Sequence, residues 1–211
     1  MKNIFLTLAL LPSVAFAQDS NASLLSKFSA QMQKAKNLSI AFEYVYENKA
    51  ENLRQSDKGT LLLMGNMYKL DLDATAIFFN GETRWTYLKN ANEVTISRPN
   101  PLEDGIFANP TALFALNEKD YNSKMRNEKV VDGKTILEVD LFPKDKLSMF
   151  TNINLRMNKS TLQPVSIACY DKSGGSVYIS ITAFDASVKP TPADFTFDVK
   201  KYPNVEVVDM R

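Results

Sequence analysis

Apolar positions near the start of the chain change from a helical to a strand spacing at about residue 37. The spacing of three and four residues predicts an amphipathic helix over Ala22–Lys36, and Ser20 or Asn21 can cap its start. Alternation of side chains then predicts a long strand over Leu38–Tyr46. The residues that share the helical spacing are Leu24, Leu25, Phe28, Met32 and Ala35.

Strand-like runs, separated by turns that contain Asn, Asp or Gly, fill most of the remaining chain. Asn80-Gly81 is the sharpest hairpin signal, and a second turn is predicted at Asp132-Gly133. The connections have hairpin length, so the strands should pair antiparallel. The runs lie at Gly59–Met64, Met67–Leu72, Thr75–Phe79, Arg84–Leu88, Glu93–Ser97, Tyr121–Val131, Lys134–Phe142, Met149–Met157, Gln163–Asp171 and Val177–Phe184.

Two prolines, Pro99 and Pro101, interrupt the strand pattern, because proline cannot occupy a central strand. Asn109-Pro110 then has the form of a helix cap followed by the first helical position. A short apolar helix is therefore predicted over Thr111–Leu116.

About eleven strands and two helical segments, with no linker between them, predict one α+β domain that is mostly β. A sheet this wide curls, so we expect a single curved antiparallel sheet with the helices on its concave face. One substantial helix and one short helix leave part of that apolar face without protein to cover it. Such a face suits an apolar ligand.

The composition argues against several classes of function. The 211 residues contain 25 Lys and Arg against 24 Asp and Glu, so no strong field attracts nucleic acid, and no nucleic-acid partner is expected. The absence of His removes His-based triads and His-containing zinc sites, and a single Cys removes disulfides within the chain. We therefore expect no enzymatic activity, no cofactor and no metal, and we expect Cys169 to be a small core residue.

The first residues have the form of a secretory signal peptide. Lys2 precedes the apolar run Ile4–Leu11, which is far shorter than the ~20 residues needed to cross a bilayer. Ala15-Phe16-Ala17 fits a signal-peptidase site, so we expect a signal peptide over 1–17 and one mature domain over 18–211. Gln18 stands where a lipoprotein would need Cys, so the mature chain should carry no lipid of its own.

Three groups of polar residues have both a functional and a plain surface interpretation. Asp71, Asp73 and Asn80 could suggest calcium, but the EF-hand spacing is absent and a solvated strand edge explains the acids. Glu138 and Asp140 could be a carboxylate pair for glycoside cleavage or a solvent-facing pair. A basic hairpin could be a solvated face or a docking surface for an acidic partner. Its residues are Lys124, Arg126, Lys129 and Lys134.

Several weak motifs occur in a fixed order along the mature chain, starting with the amphipathic helix and the long strand. The best single match is residues 80–87, Asn-Gly-Glu-Thr-Arg-Trp-Thr-Tyr, which is similar to an Asp-Gly-Lys-Thr-x-Trp-x-Tyr hairpin. The other segments are Gly59-Thr60-Leu61, Tyr68-Lys69-Leu70-Asp71-Leu72, Pro110-Thr111-Ala112-Leu113-Phe114, Phe195-Thr196-Phe197 and residues 204–211. Together they resemble the bacterial outer-membrane lipoprotein carrier family (LolA-like), over nearly all of the mature chain.

The resemblance implies an incomplete β-barrel of about eleven strands that carries the acyl chains of lipoproteins through the periplasm, from the inner towards the outer membrane. It implies acylated lipoproteins as cargo, an ATP-driven extractor in the inner membrane, an acceptor in the outer membrane and a monomeric carrier. The best-known branch has an Arg-Pro after its Gly-x-Leu strand, whose Arg keeps the empty cavity shut. This chain has Met64-Gly65-Asn66-Met67 there, so that latch is not transferred.

Face and motif together predict the residues of the acyl cavity, although a strand register shifted by one residue would move a whole set to the other face. The predicted cavity residues are Phe42, Tyr44, Tyr68, Leu70, Leu72, Trp85 and Tyr87. The predicted lid residues are Phe28 and Met32 in the first helix and Leu113 and Phe114 in the short helix.

Besides a structural β-rich surface module, two other functions stay open. The first is a periplasmic sensor with the same fold that regulates a membrane signalling partner, although such relatives usually carry a second domain, for which this chain has no room. The second is an esterase or carboxylate-based hydrolase of envelope lipids or glycans, which the absence of His and of a nucleophile elbow disfavours.

Overall fold

The computed structural model describes residues 21–99, 110–114 and 116–211, and the side chains of residues 21–23 and 113 are not described. The predicted signal peptide, residues 1–17, and the predicted cap Ser20 lie outside these ranges. Within them, one α-helix, α1 (Asn21–Lys34), precedes twelve strands. The strands are β1 Asn37–Asn48, β2 Leu53–Met64, β3 Met67–Leu72, β4 Thr75–Phe79, β5 Arg84–Leu88, β6 Glu93–Ser97, β7 Tyr121–Val131, β8 Lys134–Pro143, β9 Phe150–Asn158, β10 Pro164–Asp171, β11 Gly175–Asp185 and β12 Glu206–Asp209.

The twelve described strands form one open, curved sheet in the order β12-β6-β5-β4-β3-β2-β1-β11-β10-β9-β8-β7. This confirms the predicted mostly β fold with a single sheet that is not closed into a barrel. The twelfth strand is an addition to the prediction, and it pairs parallel to β6, with Val207 beside Val94. A strand of four residues is too short for an alternating pattern to mark it.

One face of the sheet is covered by α1 and by the short 3₁₀ helix Pro110–Phe114, and we call it the helix-covered face. From α1, Leu25, Phe28 and Met32 are buried here and are at most 4% exposed. Burial of each such side chain stabilises the fold by about 1.5–3 kcal/mol. The strand residues of the same core are Leu38, Ile40, Phe42, Leu61, Leu63, Tyr68, Leu70, Leu137, Val139, Leu141, Ile153, Leu155, Met157, Ile167, Cys169 and Ile179.

The opposite face of strands β4–β6 is covered by the C-terminal segment. Phe78 and Val94 are buried on this face, because they alternate along their strands with residues of the helix-covered face. The ring of Phe197 lies 5.6 Å from that of Phe78 and stacks on Tyr202 at 4.2 Å. A second, smaller core therefore holds the C-terminal segment against the sheet.

Several elements differ from their predicted bounds by one or two residues, and β2 differs by six. β2 begins at Leu53 rather than Gly59, because the polar residues 54–58 extend the ladder with β1 where no apolar alternation marks a strand. The helix predicted over Thr111–Leu116 is a 3₁₀ helix over Pro110–Phe114. Among the described helices, none combines the length and the apolar character needed to span a bilayer.

Candidate ligand-binding site

A cavity of about 740 Å³ opens where the end of α1, the start of β1, the β2–β3 turn and the short helix Pro110–Phe114 meet. We call it the helix-end cavity. Its volume lies within the ~300–1,000 Å³ that is typical of ligand pockets. The described residues that line it are Met32, Gln33, Ala35, Lys36, Asn37, Leu38, Leu63, Met64, Gly65, Asn66, Met67, Thr111 and Phe114.

The wall of the helix-end cavity is mainly apolar and contains three methionines. Met32 comes from α1, and Met64 and Met67 pair across the β2–β3 turn. Methionine is unbranched and polarizable, so these side chains can adjust to a flexible apolar ligand. Leu38 and Phe114 complete the apolar wall from the sheet and from the short helix.

A backbone hydrogen bond holds two walls of the cavity together. The N–H of Gly65 donates to the carbonyl oxygen of Lys36 at 3.0 Å. Gly65 has a φ of +60°, which glycine adopts without strain, and it forms the tight turn between β2 and β3. This turn is thereby fixed beside the end of α1.

A second cavity of about 660 Å³ lies along β1, β2 and β3. Phe42 and Leu72 give it an apolar patch, but six charged residues also line it. They are Glu43, Asp57, Lys58, Asp71, Asp73 and Lys89. This second cavity is therefore a more polar groove than the helix-end cavity.

The strand register places five of the predicted cavity residues on the helix-covered face. Phe42, Tyr68 and Leu70 are buried in its core and are at most 6% exposed. Tyr44 and Leu72 are half-buried and pack against the same core. Of these five, Phe42 and Leu72 line the second cavity, and none lines the helix-end cavity. Their role in ligand binding stays a prediction.

Three of the four predicted lid residues have described side chains on the helix-covered face. Phe28 is fully buried between α1, to which it belongs, and the sheet. Met32 and Phe114 are also buried, with at most 8% of each residue exposed. Met32 and Phe114 also line the helix-end cavity, so two covering elements contribute to its wall. Leu113 belongs to the short helix, but its side chain lies outside the described part of the structure.

The register places Trp85 and Tyr87 on the opposite face, and their role in ligand binding stays a prediction. Trp85 pairs with Phe78, a residue of the smaller core on the opposite face. Tyr87 packs there too, with its ring 5.2 Å from Phe197 and 4.7 Å from Tyr202. The aromatic residues of β5 therefore hold the C-terminal segment and do not line either cavity.

The turn between β4 and β5 explains why Trp85 and Tyr87 lie on the face opposite the helices. It sets Phe79 opposite Arg84, so Arg84 shares the face of Phe79 and Trp85 shares the other face with Phe78. Both Phe78 and Phe79 are apolar, so the sequence of β4 does not show which of them faces the helices.

Sequence reasoning missed the four apolar strand residues of the helix-end cavity wall, namely Leu38, Leu63, Met64 and Met67. Leu38 and Leu63 lie at the alternating apolar positions of their strands, a signal that marks the face but not the empty space beside it. Met64 and Met67 occupy the segment that lacks the family's Arg-Pro. That segment supplies apolar wall instead.

Four of the other candidate residues form ion pairs, namely Asp71, Arg126, Glu138 and Asp140. Lys89 is paired with Asp71 at 2.6 Å, and Arg126 lies 3.7 Å from Glu138 and 3.4 Å from Asp140. In the described ranges, no group of three or more acidic or Cys residues is arranged to hold a metal ion.

Cys169 is buried in the core of the helix-covered face, as predicted for a small core residue. It is 1% exposed, and burial raises the pKa of its thiol to about 12. A thiol with this pKa is almost entirely protonated at neutral pH, so it is not an activated nucleophile.

Comparison with protein families gives one match, to the family described as outer membrane lipoprotein carrier protein LolA, over residues 33–198. This span runs from the last turn of α1 to beyond β11, and it includes every described residue of the helix-end cavity wall except Met32. No curated protein matches the chain.

Several solved structures are similar to this chain at low sequence identity. An uncharacterized conserved protein from Thermus thermophilus is 11% identical with a TM-score of 0.54, and the match covers 87% of this chain and 98% of that chain. A LolA superfamily protein from Nitrosomonas europaea is 14% identical with a TM-score of 0.46, covering 84% and 97% of the two chains. The lipoprotein LppX from Mycobacterium tuberculosis is 13% identical with a TM-score of 0.47, covering 81% and 99%. At these identities the likeness concerns the fold alone.

Proposed function

The chain belongs to the outer membrane lipoprotein carrier (LolA) family, and on that premise we propose that it binds the acyl chains of lipoproteins in the helix-end cavity and carries them from the inner towards the outer membrane. The observation that carries this proposal is the cavity itself. Its wall is mainly apolar and is contributed by the sheet and by both covering helices.

The need for such a cavity follows from the hydrophobic effect. Each methylene group exposed to water costs about 0.8 kcal/mol, so an acylated protein does not leave a membrane unaided at a useful rate. An apolar pocket in a carrier protein lowers that cost. A cavity of about 740 Å³ is large enough for a substantial part of an acyl chain.

A carrier must also release its cargo, which favours a cover that can move. The short helix Pro110–Phe114 is a 3₁₀ helix of five residues, and it touches the cavity through Thr111 and Phe114. A short element with few buried side chains opens at lower free energy than the central strands of a core. We assign the short helix as the moving cover and α1 as the fixed one.

The same proposal includes the location and the partners. After cleavage behind Ala17, the mature chain would act in the periplasm as a monomer. The described part of the chain has no nucleotide-binding loop, so the energy for loading would come from an ATP-driven extractor in the inner membrane. An acceptor in the outer membrane would receive the cargo.

The proposal is tested by mixing the purified mature chain with a lipoprotein in its acylated form and in a form without acyl chains. We expect a stable complex with the acylated form only. Met64→Trp, which places a large ring in the cavity wall, should weaken the complex at least tenfold. Met210→Trp is the matched control, because Met210 is 68% exposed and lies outside the cavity.

Two outcomes would contradict carriage of acyl chains. Equal binding of the acylated and unacylated forms would indicate recognition of protein surface, as in a regulator. Equal affinity of Met64→Trp and the unsubstituted chain for acylated cargo would show that the acyl chains bind elsewhere.

A further inference from the structure

The helix-end cavity has an uneven distribution of charge. Among its described lining residues, Lys36 is charged, and the other polar side chains are the neutral Gln33, Asn37, Asn66 and Thr111. An apolar wall with one positive charge is complementary to an amphiphile that has an apolar chain and a negative head.

Lys36 is also held in place without being neutralised. Its backbone carbonyl accepts the hydrogen bond from Gly65, which fixes the residue at the junction of α1 and β1. The side chain is exposed and forms no ion pair with another described residue. Its ammonium group is therefore available to a ligand.

The second cavity differs in this respect and serves as an internal comparison. Its lysines, Lys58 and Lys89, are paired with Glu43 at 2.7 Å and with Asp71 at 2.6 Å. Two further carboxylates, Asp57 and Asp73, line the same groove. An anionic ligand would therefore meet a net negative wall there, whereas it would meet a positive wall in the helix-end cavity.

We infer that the helix-end cavity selects acyl amphiphiles whose polar head carries a negative charge, with the chain against Met32, Met64 and Met67 and the head beside Lys36. This rests on the proposed function, and it adds a class of ligand and a residue that determines specificity. The methionine thioethers let the wall adapt to the acyl chain. The ammonium group of Lys36 gives the preference for a negatively charged head.

The test uses the purified mature chain and four probes at concentrations below micelle formation. Two are a fluorescent fatty acid and its neutral methyl ester, and two are lysophospholipids of one chain length, with an anionic glycerol headgroup and with a zwitterionic choline headgroup. We expect both anionic probes to bind about fivefold more tightly than their partners, which is the size of effect for a partly exposed ion pair. Agreement between the carboxylate and phosphate arms would show that charge, not the identity of the head, is recognised.

Variants assign this preference to Lys36. Lys36→Gln should remove the preference by weakening the binding of the anionic probes, whereas Lys36→Arg should retain it. Lys34→Gln is the matched control, because Lys34 is an exposed lysine of α1 that does not line the cavity. The preference should also weaken between 50 mM and 500 mM salt, because salt screens an exposed charge.

The outcomes separate this inference from the proposed function. If the anionic probes bind no more tightly than the neutral and zwitterionic ones, or if Lys36→Gln does not change the preference, the inferred selection by charge is wrong. The proposed binding of acyl chains is not contradicted by either result. If none of the four probes binds and acylated lipoprotein also fails to bind, the proposed function itself is wrong. A preference that Lys34→Gln removes would place the charge recognition on α1, outside the cavity.

Discussion

The ring of Phe42 on β1 occupies the space that a side chain on Gly59 of β2 would fill. The two residues are register partners, and a methyl group added to Gly59 would lie 2.5 Å from Cζ of Phe42 and 2.7 Å from Cδ2 of Leu72. Carbon atoms at optimal contact are separated by about 3.5–4.0 Å, so such a methyl group cannot be accommodated without movement. The glycine is therefore required for packing, and its Gly-x-Leu motif has a physical cause in this chain.

Gly59→Ala should destabilise the protein. Phe42 is 6% exposed, so its ring cannot move aside without disturbing the core. We expect the free energy of unfolding to fall by about 1–3 kcal/mol, the usual cost of overpacking. Urea unfolding followed by circular dichroism measures the change.

A double-mutant cycle isolates the contact between the two residues. Phe42→Ala removes the ring, so Gly59→Ala should cost much less in that background than in the unsubstituted chain. If Gly59→Ala costs the same with and without the ring, the clash with Phe42 is not the cause of the effect.

Trp85 should not sense a ligand in the helix-end cavity. It is the single Trp of the chain, and it packs with the smaller core on the face opposite the helices. An acyl chain that carries bromine quenches tryptophan on contact, so a bound brominated chain should leave the fluorescence of Trp85 unchanged. This outcome would contradict the sequence-based placement of Trp85 in the cavity.

The positive control moves the tryptophan to the cavity wall. In the Trp85→Phe background, Phe114→Trp places the indole on the short helix. The same brominated chain should quench this residue strongly. Strong quenching of Trp85 in the unsubstituted chain would instead mean that ligands bind on the opposite face.

The contrast between Trp85 and Phe42 shows how far the sequence predicts this molecule. Strict alternation marks the strands, and β3, β4, β5, β6 and β7 have the predicted bounds. The sequence predicts which face of a strand is buried when apolar residues alternate with polar ones, as they do around Phe42. In β4, Phe78 and Phe79 are both apolar because each contacts a different core, so periodicity cannot assign the face of the paired strand β5.

The site was harder to predict than the fold because a cavity is a property of space that side chains leave empty. Leu38 and Leu63 resemble their buried neighbours in the sequence, and their position at the end of α1 is what places them on the cavity wall. That position depends on where the helix stops and on the hydrogen bond between Gly65 and Lys36. Neither feature has a periodic signature.

Cys169 should be unreactive in the native protein. With a pKa of about 12, about one thiol in 10⁴ is ionised at pH 8, and the residue is 1% exposed. Ellman's reagent should therefore react with no thiol in the folded chain and with one thiol per chain in urea. Rapid labelling of the folded chain would show that the core around Cys169 opens easily.

The same thiol should make stability fall at high pH. Between pH 9, the ordinary pKa of a thiol, and pH 12, the unfolded chain loses this proton while the folded chain keeps it. The unfolded state binds fewer protons in this window, so the free energy of unfolding decreases by up to about 1.4 kcal/mol per pH unit. Cys169→Ala should reduce the slope of the free energy of unfolding against pH in this window. The tyrosines that titrate in the same range are present in both proteins, so the difference between the two slopes belongs to Cys169.

Phe28 and Phe114 should separate the stability of the protein from the retention of its ligand. Phe28 is fully buried between α1 and the sheet, so Phe28→Ala should lower the free energy of unfolding by about 3–5 kcal/mol. Phe114 lies on the short helix at the cavity, so Phe114→Ala should cost less stability and should instead speed the dissociation of a fluorescent acyl ligand about tenfold. Stopped-flow displacement and urea unfolding measure the two effects, and Phe114→Leu, which keeps an apolar side chain there, should restore most of the residence time. Unchanged dissociation from Phe114→Ala would mean that the short helix does not cover the ligand, because a covering residue must leave its position before the ligand can.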